Sequence, residues 1–161
     1  MEETILQLIA GYKPDGQAVL ESVPVKKIND QHWYELQASP AFLKDLACGD
    51  IITIDPQRPG HFTLQTRSGN LAVRVLSRAS IVVLRDALTA EIEKLGGQLD
   101  IDSERILVYS IHVSCGFNAI EECLNKHVGN TPDSAWFYGN VYDPNDGETP
   151  LNWWHEILKP E

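Results

Sequence analysis

Residues 109–118 read "YSIHVSCGFN" and place a histidine and a cysteine where chemistry could occur. His112 and Cys115 sit where an extended segment gives way to a helical one. A thiol at a helix N-terminus can have a lowered pKa, and a nearby imidazole can take its proton. These are the residue types of a nucleophile and its base. The sequence names no third group to orient His112, and the spacing fits no known nucleophile signature. In the structural alternative, Gly116 eases a turn, Cys115 fills space and His112 lies on the sheet surface. Cys115 and His112 are therefore weak catalytic candidates, and the expectation is a protein that is not an enzyme.

Other clusters suggest less chemistry. His32, His61, His112, His127 and His155 are scattered without a His-x-His or His-Glu-x-x-His pattern. A metal site would need distant residues to converge, so no metal and no cofactor is expected. His127 falls in the last turn of a helix, where a cation suits the carbonyl ends. Asp100, Asp102 and Glu104 gather at a hairpin tip, with too few fixed ligands for a hard cation. Gly-rich phosphate cradles are absent. Arg67, Arg74 and Arg78 form a local basic patch, either a solvated strand face or an anion site. Cys48, Cys115 and Cys123 are odd in number and irregular in spacing, which predicts a reducing, cytoplasmic setting and no disulfide framework.

The C-terminal tail is the most distinctive stretch. Residues 136–161 carry Trp136, Phe137, Tyr138, Tyr142, Trp153 and Trp154, interleaved with Asp143, Asp146, Glu148 and Glu156; Asp133 lies just upstream. Rings supply buried area and carboxylates supply steering, the combination that seals against a cationic protein. Alternatively, the two indoles fold back and cap the sheet. Both readings stand, since adjacent residues on a helix or strand point different ways.

Charge agrees with a basic partner. The net charge is −10 over 161 residues. Residues 1–79 are nearly balanced at −1, whereas residues 80–161 hold −9. Such a field repels nucleic-acid phosphates and anionic membranes. No apolar run is long enough to span a bilayer, and the acidic start lacks the basic region of a secretory signal.

The elements that must position these residues follow from hydrophobic period. Alternation predicts strands in "TILQLIAG", "QAVLESVPVKKI" with a bulge or edge at Pro24, "HWYELQAS" and "DIITIDP". "SPAFLKDLACGD" predicts a short helix capped by Ser39, and "HFTLQTRSGNLAVRVLS" a hairpin about its Ser-Gly turn. Beyond Ser80 the period becomes helical, with Ile81, Leu84, Leu88, Ile92 and Leu95 on one face and Phe117, Ile120, Leu124 and Val128 on another. Two strands around Asp102 and a last one at "SAWFYGNVY" complete strand, helix, strand, strand, helix, strand over 71–141, the ferredoxin-like order.

The fold expectation is α+β: an N-terminal curved antiparallel sheet or small barrel (1–70), a ferredoxin-like region (71–142) and an acidic aromatic tail (143–161), packed as one unit. The segments "ESVPVKKINDQHWYELQASPAFLKDLACGDIITI", "HFTLQTRSGNLAVRV", "LGGQLDIDSERILVYSIHV" and "AWFYGNV" resemble the bacterial family catalogued as domain of unknown function 4265. That resemblance carries no chemistry to transfer, but small proteins of this kind resemble toxin-immunity proteins. The resemblance implies an immunity protein; joined to the acidic second half, the expectation is a non-enzymatic cytosolic protein that occludes a basic, nuclease-type toxin domain and binds neither nucleic acid nor membrane. The expected binding residues are Asp133, Tyr142, Asp143, Asp146, Glu148, Trp153 and Glu156, with Asp100, Asp102 and Glu104 as a second patch. A small-molecule sensor and a Cys/His-dependent enzyme are the alternatives.

Overall fold

The computed structural model describes residues 3–79 and 81–159. The first five strands, β1 (Glu3–Tyr12), β2 (Ala18–Lys27), β3 (Trp33–Leu36), β4 (Ile51–Ile54) and β5 (Phe62–Thr66), form an antiparallel meander in chain order. Their inward positions, Leu8, Val23, Val25, Leu36 and Ile52, make one apolar cluster. The sheet curls strongly. A bulge shifts the β1–β2 register between Ile9 and Gly11, and bulges increase strand twist and bend. The Ile9 N–H then reaches the Gly60 carbonyl at 2.9 Å. β1 and β5 do not pair as strands, so the sheet stops short of a barrel. Pro24 sits just past the last β2–β3 pair, Val25–Leu36, where its carbonyl accepts from Gln37 and its missing N–H leaves no ladder gap.

The second half is β6 (Asn70–Ser77), α1 (Val82–Lys94), β7 (Gln98–Asp102), β8 (Ile106–His112), a 3-10 turn (Val113–Cys115), α2 (Phe117–Val128) and β9 (Ser134–Tyr138). Its sheet order is β7-β8-β6-β9, all neighbours antiparallel, which is the ferredoxin-like arrangement. Both helices cover one face. Ile81, Leu84, Leu88 and Ile92 meet Ile120, Leu124 and Val128 over Leu71, Val73, Val75, Leu107 and Tyr109. Cys123 joins the α2 stripe as well.

Two expected elements differ from the structure. Residues 39–50 form no helix. Their N–H groups are taken by side chains: Ala41, Phe42 and Leu43 all donate to the Glu21 carboxylate and Ser39 to Asp100, both outside the segment, while Cys48 donates to Ser39 Oγ and Ala47 to Asp50 within it. Tertiary acceptors thus replace the i−4 carbonyls a helix would use. Nor do residues 61–76 form a hairpin. β5 pairs with β4, and β6 with β8 and β9. The Ser-Gly turn is instead a crossing between sheets, pinned where Ser68 N–H donates to Asp50 and Asn70 Nδ2 to the Cys48 carbonyl.

The irregular 39–50 segment is the middle layer. Leu43 and Leu46 fill the curled first sheet. Its other side covers the face of the second sheet opposite the helices. There Ser39 Oγ meets Ser110 Oγ at 2.8 Å, and the buried Arg74 donates to the carbonyls of Pro40 and Leu43. Gly139 packs tightly here: a Cβ would lie 3.0 Å from the Arg74 guanidinium, which would have to shift to admit it. The face of the second sheet opposite the helices is therefore covered at its centre by the N-terminal half.

Candidate protein-binding edge and the aromatic tail

Among the described residues β9 pairs with β6 on one side only. Its side chains alternate: Trp136 and Tyr138 turn to α2, whereas Ala135 and Phe137 are exposed. On the helix side, Trp136 Nε1 donates to Asn125 at 2.9 Å and Tyr138 Oη donates to Glu121 at 2.9 Å. Burial, with the Glu121 carboxylate second, pushes the Tyr138 phenol well above its ordinary range, so it stays a hydrogen-bond donor. Beyond β9, the buried Asn140 extends the pairing with side-chain atoms. Its Oδ1 accepts from Ala72 N–H and its Nδ2 donates to the Asn70 carbonyl.

The chain then reverses through residues 142–150. Tyr142 bridges Pro150, and Asp143 N–H donates to the Thr149 carbonyl. Asp143 accepts from Asn145 N–H. Asp146 accepts from the N–H groups of Glu148 and Thr149 and from the Thr149 hydroxyl. That hydroxyl leads the contacts holding the Asp146 carboxyl below its usual range. The loop thus holds Asp143 and Asp146 in place by its own hydrogen bonds, and those to Asp146 favour its ionised form.

Between this loop and the β9 edge runs an open groove of about 430 Å³, lined among others by Phe137, Tyr138, Gly139, Tyr142, Asp143 and Glu121. Phe137 and Tyr142 are 41% and 42% exposed. Lys44 and Arg74 share the lining, so the groove is not uniformly acidic. The opposite edge strand differs. β7 is bulged at Asp100 and carries two aspartates, devices that deter strand addition. β9 has an unshifted register and no charged residue within it.

The structure separates the other expected residues. Asp133 lies at the far end of β9, with φ 61°, in a shallow hollow with Arg78. Asp100 is used internally, accepting from Ser39 N–H, Gln98 and Ser110. Asp102 pairs with Arg85 at 3.3 Å, and Glu104 sits at an exposed tip with no such engagement among the described residues. Glu156 is exposed on a one-turn helix, α3 (Trp154–Ile157). Trp154 is buried in the helix-side core, edge-on to Phe117 at 5.2 Å. Trp153 is half-buried, donates to the Asn140 carbonyl at 2.8 Å and lies under the Arg67 guanidinium at 5.3 Å. The tail is thus a strap, with both indoles engaged by the fold.

The basic patch does not assemble, because Arg67 turns to Asp45 at 2.6 Å and Arg74 is buried. The His112–Cys115 pair is not assembled as a dyad either. His112 Nδ1 faces Ser114 Oγ at 2.8 Å and accepts from Ser114 N–H, capping the 3-10 turn. Cys115 packs against the core. Among the described residues no hydrogen bond joins the two. Burial pushes the thiols of Cys48 and Cys123 up to about 11, against a nucleophilic role. Phe137 was missing from the expected binding residues; its period-2 alternation on an end strand was the available signal.

Residues 21–131 match the family described as "Domain of unknown function (DUF4265)". The chain belongs to the DUF4265 family. The DUF4265 match starts at Glu21, whose carboxylate organises the middle layer, and ends before β9, so the strand that borders the groove lies outside it. A crystal structure of a hypothetical protein from Neisseria gonorrhoeae is similar in fold, with TM-score 0.66 and 18% identity over 86% of this chain and 95% of that one. No curated protein matches the sequence. No helix among the described residues is long and apolar enough to cross a membrane.

Proposed function

We propose that this DUF4265 protein is a non-enzymatic binding module for a basic protein, acting as an immunity protein that occludes the positive surface with which a nuclease-type toxin holds nucleic acid. The observation that supports this reading is the groove at the open β9 edge, where exposed Phe137 and Tyr142 stand beside Asp143 and Glu121. An extended basic segment would add main-chain hydrogen bonds along β9, place an apolar group between the rings and pair with the carboxylates. Asp146 and Glu148 on the adjoining loop steer it. Trp153 and Trp154 hold the loop in place from beneath rather than touching the partner. An acidic surface that covers a cationic one blocks substrate by competition, with no chemistry of its own.

The test starts from the gene immediately upstream: any basic C-terminal toxin domain encoded there is titrated calorimetrically with the purified chain. Affinity should fall as salt rises, and Phe137→Ala and Tyr142→Ala should each weaken binding at least about tenfold, as truncation of a central aromatic contact does. Unchanged affinity in both variants would place the contact elsewhere. Absence of any binding to that domain would remove the immunity reading.

A further inference from the structure

α1 and α2 carry a second constellation, remote from the groove. Cys123 and His127 are four residues apart on α2, so they share a face. α1 lies alongside and presents Glu91 to them. One ligand atom from each residue, a carboxylate oxygen, Sγ and an imidazole nitrogen, lies within 4.8 Å of the other two. His127 Nε2 is buried and stands 3.1 Å from Glu91 Oε1 at an angle that makes no hydrogen bond. Lys126 Nζ holds Glu91 Oε1 at 2.8 Å from the solvent side.

We propose that Glu91, Cys123 and His127 form a binding site for a divalent transition-metal ion of the zinc class. Sulfur, nitrogen and oxygen donors together select zinc or cobalt over the hard cations calcium and magnesium, which take oxygen ligands. Three protein ligands leave one tetrahedral position. Glu91 and Cys123 line a surface hollow of about 310 Å³ together with Lys94, Leu95, Ala119 and Glu122, room from which water or a small anion could supply the fourth ligand. Charge balances locally: one carboxylate, one thiolate and a neutral imidazole offset a dication. Lys126 remains a donor to Glu91, an outer partner that orients the carboxylate. The Cys123 thiol proton leaves to bulk water as the metal–sulfur bond forms, so uptake releases a proton and strengthens with pH. The ion would clamp α1 to α2 over the core without touching the β9 edge. The sequence showed only the four-residue spacing on α2; Glu91 arrives through the fold, from the antecedent helix.

The experiment is a titration of the metal-stripped full chain with Co2+ and, separately, Zn2+ at mildly alkaline pH. A single Co2+ should produce thiolate-to-cobalt charge-transfer absorption, which Zn2+ then displaces. The band should survive Cys48→Ser and Cys115→Ser and vanish in Cys123→Ser. Glu91→Gln should weaken Zn2+ binding at least about tenfold, since even loss of an outer-sphere partner costs ~10–100-fold. In the unaltered protein, which sidesteps any folding defect of a variant, Zn2+ should protect Cys123 from alkylation while Cys115 continues to react. No thiolate band together with no protection of Cys123 overturns the site, and so does a band that persists in Cys123→Ser.

Discussion

Replacing Trp154 by alanine tests whether the tail is part of the core. The indole is 9% exposed and sits in the helix-side cluster, edge-on to Phe117 at 5.2 Å and to Trp153 at 5.5 Å. Truncating a buried Trp to Ala removes the transfer free energy of the ring and leaves a cavity, typically about 3–5 kcal/mol in total. For a chain of this size, each kcal/mol shifts Tm by about 2–4 °C, so the expected drop is roughly 6–20 °C. The small α3 helix has a single turn and would not re-form around the gap. Thermal unfolding followed by far-ultraviolet circular dichroism reads the shift, and Trp153→Phe supplies a scale. That variant keeps an aromatic ring but loses the bond to the Asn140 carbonyl, worth about 1 kcal/mol and a few degrees. A Trp154→Ala Tm within about 2 °C of the unaltered protein, the shift that a single kcal/mol gives and well short of that drop, would refute the strap. It would mean that residues 151–159 pack too weakly to hold the 142–150 loop.

Further outcomes follow from the middle layer and the helix pair. Glu21→Gln leaves a single acceptor oxygen and an amide donor facing three backbone N–H groups, so urea unfolding should show a loss of about 2–3 kcal/mol. Burial pushes the Asp50 carboxyl up to about 6, so the folded state takes up its proton more readily than the unfolded chain. The stability this group contributes is complete below its unfolded value and is lost as pH rises through 6. Relative to Asp50→Asn, the unaltered protein should lose about 2–3 kcal/mol between pH 4 and pH 7, and parallel stability curves would contradict this. Glu91 has the opposite sign: Lys126 first, then His127, hold it down to about 2. Its contribution is present above its unfolded value and fades as pH falls toward 2, so Lys126→Met should flatten the acid limb of the stability curve.

The second half of the fold was legible because its period is unambiguous. The stripes Ile81–Leu84–Leu88–Ile92 and Ile120–Leu124–Val128 each allow one buried face, and the strand-helix alternation then fixes the ferredoxin-like order. Residues 39–50 were misread for a physical reason. Ser39, Pro40 and Gly49 carry helix-boundary chemistry, but the decisive acceptors, Glu21 and Asp100, lie far away in sequence. The same holds for the crossing at Ser68, where Asp50 outcompetes a local hairpin. Charge density in the tail was visible, yet density did not say that Asp100 would be used internally or that Trp153 would be stacked beneath Arg67. Period-2 alternation in β9 carried an unused signal for the exposure of Phe137; which edge of the sheet stays open depends on strand order, which only the assembled fold gives.

Residues 39–50 belong to neither sheet and are indispensable to both, and this has a consequence for synthesis on the ribosome. The N-terminal meander emerges first, but the segment that fills it awaits Arg74 and Asp100, the latter 61 residues downstream of Ser39. Until those arrive, the plug is tied to the curled sheet through Glu21, and the side of it that will meet the second sheet has nothing to pack against. The chain must therefore complete its folding late, once most of its length has been translated.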